Sequence, residues 1–343
     1  MELYNLGRVP WEQSQLIYHA LAYLGREAFC TCLPATRYFC VGYHQDLSQE
    51  VDLEFSADNN IPVFRREVGG GGVYLDSNQV FFQLILHQKN SQISKCREAF
   101  FRKFLEPVVR AYHSMGIPAQ YERPADIAVG HRKISGIGAG EIGDCVVLVG
   151  NVLVDFDFDT MCKMLKLPDD KFRARVQRAM EDNMTTVRRE IGDRAAARWG
   201  QAEIAELLVS EFGKLLGSLE PCRVDGELRC KMDQLAHSMT KHSWLHKNRR
   251  PPARRSVTIR SGLQLCQESI ETPAGPMSIE FEVRNGVSAH VAISGKAWQR
   301  YSAELTGLTS LLIGIPPKEI RTAVSRHFAG MRVQRQSLTD ERA

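Results

Sequence analysis

The chain has 343 residues, 44 basic and 40 acidic side chains for a net charge of +4, and 43% hydrophobic residues, the make-up of an ordinary globular protein. The charge excess is too small to demand a nucleic-acid partner, and no apolar run reaches the roughly 18 residues of a membrane-spanning helix. The length is large for one core, so two domains are expected.

Nine cysteines, odd in number and scattered through apolar surroundings, read as reduced, buried thiols. Cys30 and Cys32 form a close pair, without the second pair or nearby histidine that would complete a zinc site. Residues 1–5 lack the basic-then-apolar pattern of an export signal, so the expected compartment is the cytoplasm.

In chain order, Leu16, Ile17, Ala20, Leu21 and Leu24 share one face at three- and four-residue spacing and predict a helix over 12–25. Strand-like runs follow at 38–41, 63–66 and 79–86. Between the last two stands Arg65-Arg66-Glu67-Val68-Gly69-Gly70-Gly71-Gly72-Val73-Tyr74. Glycine has no Cβ and tolerates positive φ, so this backbone can present its N–H groups to a carboxylate or phosphate, with two guanidiniums to meet the same anion. A flexible hairpin loop is the alternative reading.

A long helix is predicted from 91 to 116 through Ile93, Cys96, Phe100, Phe104, Val108 and Tyr112, kinked or broken at Pro107. Runs at 145–149 and 152–156 flank Gly150-Asn151 and predict an antiparallel pair with a bulge or tight bend there. Before them, Val129-Gly130-His131-Arg132 predicts a turn. After it, Lys133 and Ser135 share one strand face and Ile134 is buried on the other. A lysine held this way can act as a point charge on a carboxyl oxygen and a phosphate while both react; an ordinary solvated strand lysine is the alternative. His131 reads as an exposed turn residue.

Ile204, Leu207, Leu208 and Phe212 predict a helix over 201–216. Residues 246–255 carry five positive charges and two prolines with no acid, an exposed linker by composition. Strands at 278–283 and 287–293 then flank an Asn285-Gly286 hairpin turn. Two helices follow, one bearing Trp298, Tyr301, Leu305 and Leu308, the other running from Pro316-Pro317 to Gly330.

Together the stretches 65–76 and 126–138 resemble the lipoate–protein ligase family, within the wider group of biotin and lipoate ligases and octanoyltransferases. In that family paired arginines, three glycines and an aromatic-x-Asp form the lipoate and nucleotide pocket, and an Asn-Asp leads through a turn to Lys-x-Ser-Gly, whose lysine is catalytic. Val41-Gly42-Tyr43-His44-Gln45 resembles the family's Ile-Gly-x-x-Gln. The resemblance implies an α+β fold with a mixed, largely antiparallel sheet and packed helices. It implies a catalytic domain over 1–246, a basic linker over 247–255, a small α+β accessory domain over 256–332 that rotates about the linker, and a tail over 333–343.

The activity it implies is ATP-dependent formation of lipoyl-AMP and transfer of the lipoyl group to a lysine of an acceptor protein, a lipoyl domain or H-protein-like carrier, with magnesium as cofactor. Lys133 becomes the catalytic residue. Arg66, Gly69, Gly70, Gly71, Gly72, Val73, Tyr74, Asp76, Asp126, Ser135, Gly136, Gly138 and Gly150 become the lipoyl-AMP pocket, and Asp126 the magnesium ligand. Val68, Leu75, Ser77-Asn78-Gln79, Pro124-Ala125 and Leu148-Val149 depart from the family pattern and imply a more apolar acyl pocket, as in a subgroup serving an acceptor of sulfur oxidation. Two other functions stay open: a cysteine-dependent octanoyltransferase or lipoyl amidotransferase using Cys145, and a non-catalytic lipoyl- or biotin-binding regulator.

Overall fold

The computed structural model describes residues 1–249, 254–272, 275–295 and 302–328. The chain divides into two compact units, Met1–Leu167 with Gln177–Arg250, and Pro168–Val176 with Pro251–Ala343. The short excursion of Pro168–Val176 into the second unit is marked by no shift in composition.

At the centre of the first unit lies a six-stranded mixed sheet in the order Ile137–Ile142, Cys145–Leu153, Gln79–His87, Ala28–Pro34, Glu2–Val9 and Glu220–Pro221. The first three neighbouring pairs are antiparallel and the last two parallel. Eight of the nine residues of Gln79–His87 are buried, because helices cover both faces of the sheet. Alternation then sorts the side chains. Phe82, Leu84 and Leu86 enter a core with Phe29, Phe104, Val108 and Phe212, under the helices Arg97–Ser114 and Gln201–Leu216. Phe81 and Ile85 enter a second core with Leu16, Ile17, Cys30 and Tyr38, under the helix Trp11–Tyr23.

Two three-stranded sheets carry the motif segments. One has the order Val63–Arg65, Tyr38–Val41, Val73–Leu75, the other Gln120–Glu122, Asp126–Val129, Arg132–Ser135. No helix of the described residues is long and apolar enough to cross a membrane.

Three differences from the sequence reading have clear causes. The bend expected at Gly150-Asn151 is absent: Cys145–Leu153 is one strand, paired along its length with Gln79–His87 and over six residues with Ile137–Ile142. Gly150 serves close packing instead, since a Cβ there would stand 2.3 Å from Phe82 Cζ and 2.8 Å from Ile137 Cδ1. The helix Arg97–Ser114 runs unbroken through Pro107, whose buried ring adds to the apolar face. The strands Glu2–Val9 and Ala28–Pro34 went unrecognised because parallel pairing joins segments with no local turn signal.

The second unit holds a four-stranded antiparallel sheet of Arg255–Arg260, Leu263–Thr272, Gly275–Arg284 and Val287–Ser294. Asn285 (φ 51°) and Gly286 (φ 88°) make the expected hairpin turn, where both residues need positive φ. Helix Ser302–Leu312 and a helical stretch over 320–328 supply Leu308, Leu312, Ile320 and Val324 to a core with Met277, Ile279 and Phe281. Trp298, Tyr301, linker residues 250–253 and the tail 333–343 lie outside the described residues.

Gly150→Ala is expected to lower the unfolding free energy by about 1–3 kcal/mol through overpacking against Phe82. Urea denaturation checks this, and an unchanged midpoint would show that the two side chains can move aside.

Candidate active site

The glycine-rich segment bridges the strands Val63–Arg65 and Val73–Leu75. It is pinned at its start: Tyr43 N–H donates to Val68 O at 3.2 Å and Gly69 N–H to Ala139 O at 3.2 Å. Gly70, with φ 100°, and Gly71 form the exposed tip. Gly42 passes so close below that a Cβ would stand 2.0 Å from Gly70 O, which explains the glycine in Val41-Gly42-Tyr43.

The paired arginines divide their work, and neither points freely at an anion. Arg66 donates from Nη2 to Gly69 O at 2.9 Å and Gly71 O at 2.8 Å, and from Nη1 to Cys40 O at 3.1 Å. It braces the loop from within. Arg65 is wholly buried and gives its guanidinium to Gly42 O, Tyr43 O, Gln45 O and, twice, Leu245 O at 2.6–3.1 Å. The image of two guanidiniums facing a polyanion is therefore corrected: in this structure carbonyl oxygens occupy both. Around Arg65 the chain leaving the first unit is fastened as well. Trp244 Nε1 donates to Arg65 O at 3.1 Å, Asn248 Nδ2 donates to Tyr43 O, and Lys247 Nζ lies 3.5 Å from the Tyr43 ring centroid and 4.1 Å from that of Trp244.

His19 supports the same loop from the helix below. Its Nε2 accepts from Glu67 N–H at 3.1 Å, so the proton sits on Nδ1, which donates to Gln15 O at 2.7 Å. Burial pulls the imidazole down from 6.5 to about 4. The group is neutral at ordinary pH.

The lysine strand follows the turn expected before it. Gly130 turns with φ 60° and Ile134 is buried, but the shared face expected for Lys133 and Ser135 is corrected: the pairing slips by one residue between Ala128/Lys133 and Ile127/Ser135, a bulge that breaks the alternation and buries Ser135 as well. Lys133 stands opposite Ala128, diagonal to Asp126. Lys133 Nζ lies 2.9 Å from Asp126 Oδ1, with their side chains 20% and 6% exposed. Such a pair fixes the ammonium in place while leaving it one open side. Lys133 O accepts from Thr185 N–H at 2.8 Å, bringing in the segment after the helix Asp170–Asn183. The strand Arg132–Ser135 then leads through Gly136 into Ile137–Ile142, whose Ala139 carbonyl holds Gly69. Gly138 lies against Val68 and Gly69 O, with 3.4 and 3.5 Å to a Cβ built on it. The two motifs thus meet on one strand.

The remaining expected residues are placed as follows. Ser135 Oγ donates to Asn151 O at 2.5 Å and Gly136 N–H to Asn151 Oδ1 at 2.7 Å. Gly72 lies against Phe39, and Tyr74 packs edge-on to Phe156. Val73 is half-buried beside the second core. Asp76 accepts from Asn78 N–H at 2.8 Å in a turn; burial raises its pKa, with Asp157 and Asp155 adding to the rise. No contact joins Asp76 to Lys133. Val68, Leu75 and Leu148 belong to the cores, so their apolar character serves packing, while Val149 stays half-exposed.

Sequence reasoning assigns Thr185 and His19 no role, and names Gln79 and Asn151 only as part of a departure from the family pattern and of an expected bend. Thr185-Thr186 did carry a signal, since Thr186 caps the next helix through Arg189 N–H, as a Thr before a helix does. Cys145 sits at the far end of its strand, about 16 Å from Gly150 at the strand rise. It is fully buried, and burial raises its thiol pKa. Among the described residues no group of three or more His, Cys, Asp or Glu is gathered to hold a metal, and Cys30 and Cys32 are simply buried.

A mixed sheet covered by helices, with a glycine loop and a lysine strand meeting on one edge, defines the fold of the biotin and lipoate ligases. The model of the lipoyl protein ligase A/B catalytic domain matches residues 8–213, and the chain belongs to that family. Lipoate–protein ligase 1 of Staphylococcus aureus is 27% identical over 193 residues, 56% of this chain and 53% of that enzyme, so the chain spans about half the length of this relative. An octanoyltransferase of Kyrpidia tusciae is 23% identical over 227 residues, 60% of this chain and 81% of that protein. The fold is shared with the bipartite lipoate–protein ligase of Thermoplasma acidophilum at a TM-score of 0.63 and 22% identity, covering 73% of this chain and 98% of that one. It is shared too with a lipoate–protein ligase A bound with ATP, at 0.59 and 20%, covering 71% and 98%.

His19 gives the loop a pH signature. Its folded pKa lies below the unfolded one, so the unfolded chain takes up the proton first. Stability present above about 6.5 is lost as pH falls from there to about 4, by about 3 kcal/mol. Urea midpoints at pH 7 and pH 5 should show that slope, and His19→Gln should flatten it.

Proposed function

We propose that the chain activates lipoate with ATP as lipoyl-AMP and transfers the lipoyl group to a lysine of a small acceptor domain. The observation that carries the reading is the Lys133–Asp126 pair on a strand that runs directly into the one holding the glycine loop. Membership of the ligase A/B catalytic family supports it, as does a fold shared with a ligase bound with ATP.

In this reading the lipoate carboxylate attacks the α-phosphate of ATP, negative charge builds on a crowded phosphorus, and pyrophosphate leaves. Lys133 stabilises that charge, and in transfer it stabilises the oxyanion formed when the deprotonated acceptor amine attacks the acyl carbon, before that oxyanion collapses and AMP leaves. Gly69 to Gly72 close over the adenylate, an anhydride that water would destroy, and Arg66 keeps the loop's carbonyls turned inward. Gly138, Val149 and Val73 form an apolar wall for the acyl chain. Ser135, Gly136 and Gly150 shape its floor, and Tyr74 and Asp76 its far rim. Asp126, paired with Lys133, is a carboxylate that suits magnesium, which binds one or two carboxylates and takes the rest of its shell from phosphates and water. Magnesium bound there would neutralise phosphate charge.

The second unit serves as an accessory domain admitting the acceptor, and the setting is cytoplasmic. A carrier resembling the H protein and used in sulfur oxidation is the specific acceptor in view, on the strength of the departures from the family pattern at Ser77-Asn78-Gln79 and at the half-exposed Val149. The octanoyltransferase relative keeps a cysteine mechanism on the table, but the buried Cys145 is placed against it.

Lys133→Ala should cut ATP-dependent lipoylation of an acceptor domain by about a hundredfold or more, while Cys145→Ser leaves it unchanged. A gel-shift assay with lipoate, ATP and magnesium checks both. Full activity in Lys133→Ala, or ATP-independent octanoyl transfer abolished in Cys145→Ser, would sink the reading.

A further inference from the structure

Asn151 concentrates its polar groups on the lysine segment. Its N–H donates to Gly136 O at 3.2 Å, its carbonyl accepts from Ser135 Oγ at 2.5 Å, and its side-chain Oδ1 accepts from Gly136 N–H at 2.7 Å. The remaining amide group, Nδ2, donates to Gln79 Oε1 at 2.7 Å, and Gln79 Nε2 donates to Tyr74 O at 3.1 Å. Gln79 is fully buried and Asn151 8% exposed. A Cβ on Gly136 would stand 3.2 Å from Asn151 Oδ1, so a side chain there would push the amide back by a few tenths of an ångström.

The chain of bonds starts two residues beyond the Lys133-Ile134 step and ends on the strand Val73–Leu75, which leaves the glycine loop. We infer that Gln79 and Asn151 form a positioning relay, a buried amide pair that sets the register of Lys133 against the glycine loop. The inference rests on the proposed ligase reading for its catalytic consequence and on geometry alone for the linkage. Strand pairing cannot do this job unaided, because Lys133 and Tyr74 lie in two different three-stranded sheets with the six-stranded sheet between them in the bonding pattern.

Polarity makes the relay directional. Each amide uses its oxygen toward Gly136 and its nitrogen toward Tyr74, so along the relay a donor faces an acceptor at each link. A carboxylate at position 151 has no proton for Gln79 Oε1. If the Gln79 amide flips to supply one, its oxygen then faces Tyr74 O. One link is lost either way, inside a site where an unmet polar group costs most. Gln79→Glu fails by the same logic at Tyr74 O.

Both near-isosteric variants, Asn151→Asp and Gln79→Glu, test this in the full chain with two readouts. In amide exchange, Gln79→Glu should raise the rate at Gly136, 57 positions away, by on the order of tenfold. In kinetics with lipoate, ATP and an acceptor domain, each variant should lose about tenfold to a hundredfold in kcat, with KM for lipoate changing less than about threefold. Variants that fold and keep kcat within about twofold of the parent overturn the positioning role, whatever the exchange rates show. A parent that activates no lipoate overturns the ligase reading instead, and the Gly136 exchange rate in Gln79→Glu then decides the relay by itself.

Discussion

A buried guanidinium that hydrogen-bonds only backbone carbonyls is the constraint on which the site end of the first unit depends. Arg65 is fully shielded from water, and burial lowers its pKa from the ordinary value, with Asp46 acting the other way. Desolvating that charge is costly unless its donors are met. They are met by drawing together Gly42, Tyr43, Gln45 and Leu245, segments 200 or more positions apart. The bend at 42–45 is consequently fixed, Gly42 must pass under Gly70 without a side chain, and the glycine loop has a rigid floor. Arg66 and His19 then hold the loop's own carbonyls and its first amide.

Chemistry is placed on this scaffold by a second, smaller economy of contacts. Lys133 is long and flexible, with rotamer freedom that a catalytic ammonium has to surrender. Asp126 restrains its tip at 2.9 Å, Thr185 restrains its backbone, and Asn151 fixes the residues that follow. Restraint at tip and backbone together is what distinguishes this lysine from a solvated one on an edge strand.

Local patterns were legible where local forces decide. The strand Tyr38–Val41 and the helix Gln201–Leu216 have the bounds that periodicity gave them, and Gly130 makes the turn expected before Lys133. The motif pair was enough to reach the family. What stayed hidden depends on tertiary placement. Gly150-Asn151 has the composition of a turn, yet flanking strands on both sides hold it extended, and the glycine makes room for Phe82. Arg66 looks like an anion receptor until the carbonyls of its own loop are seen around it. Pro168–Val176 crosses to the other unit with nothing in its composition to say so. Thr185 lies 52 positions from the lysine it supports, and only the fold brings them together.

The ring clamp on Lys247 has a bearing on how this region moves. Trp244, Leu245, Lys247 and Asn248 all lean on Tyr43 or on Arg65, the residues that floor the glycine loop. Local openings in proteins follow such shared contacts and occur in cooperative blocks. The segment 242–248 and the loop floor at 42–45 therefore form one block, and a fluctuation that frees the exit segment also loosens the support under Gly70. Breathing at the boundary of the first unit and breathing at its pocket are the same event.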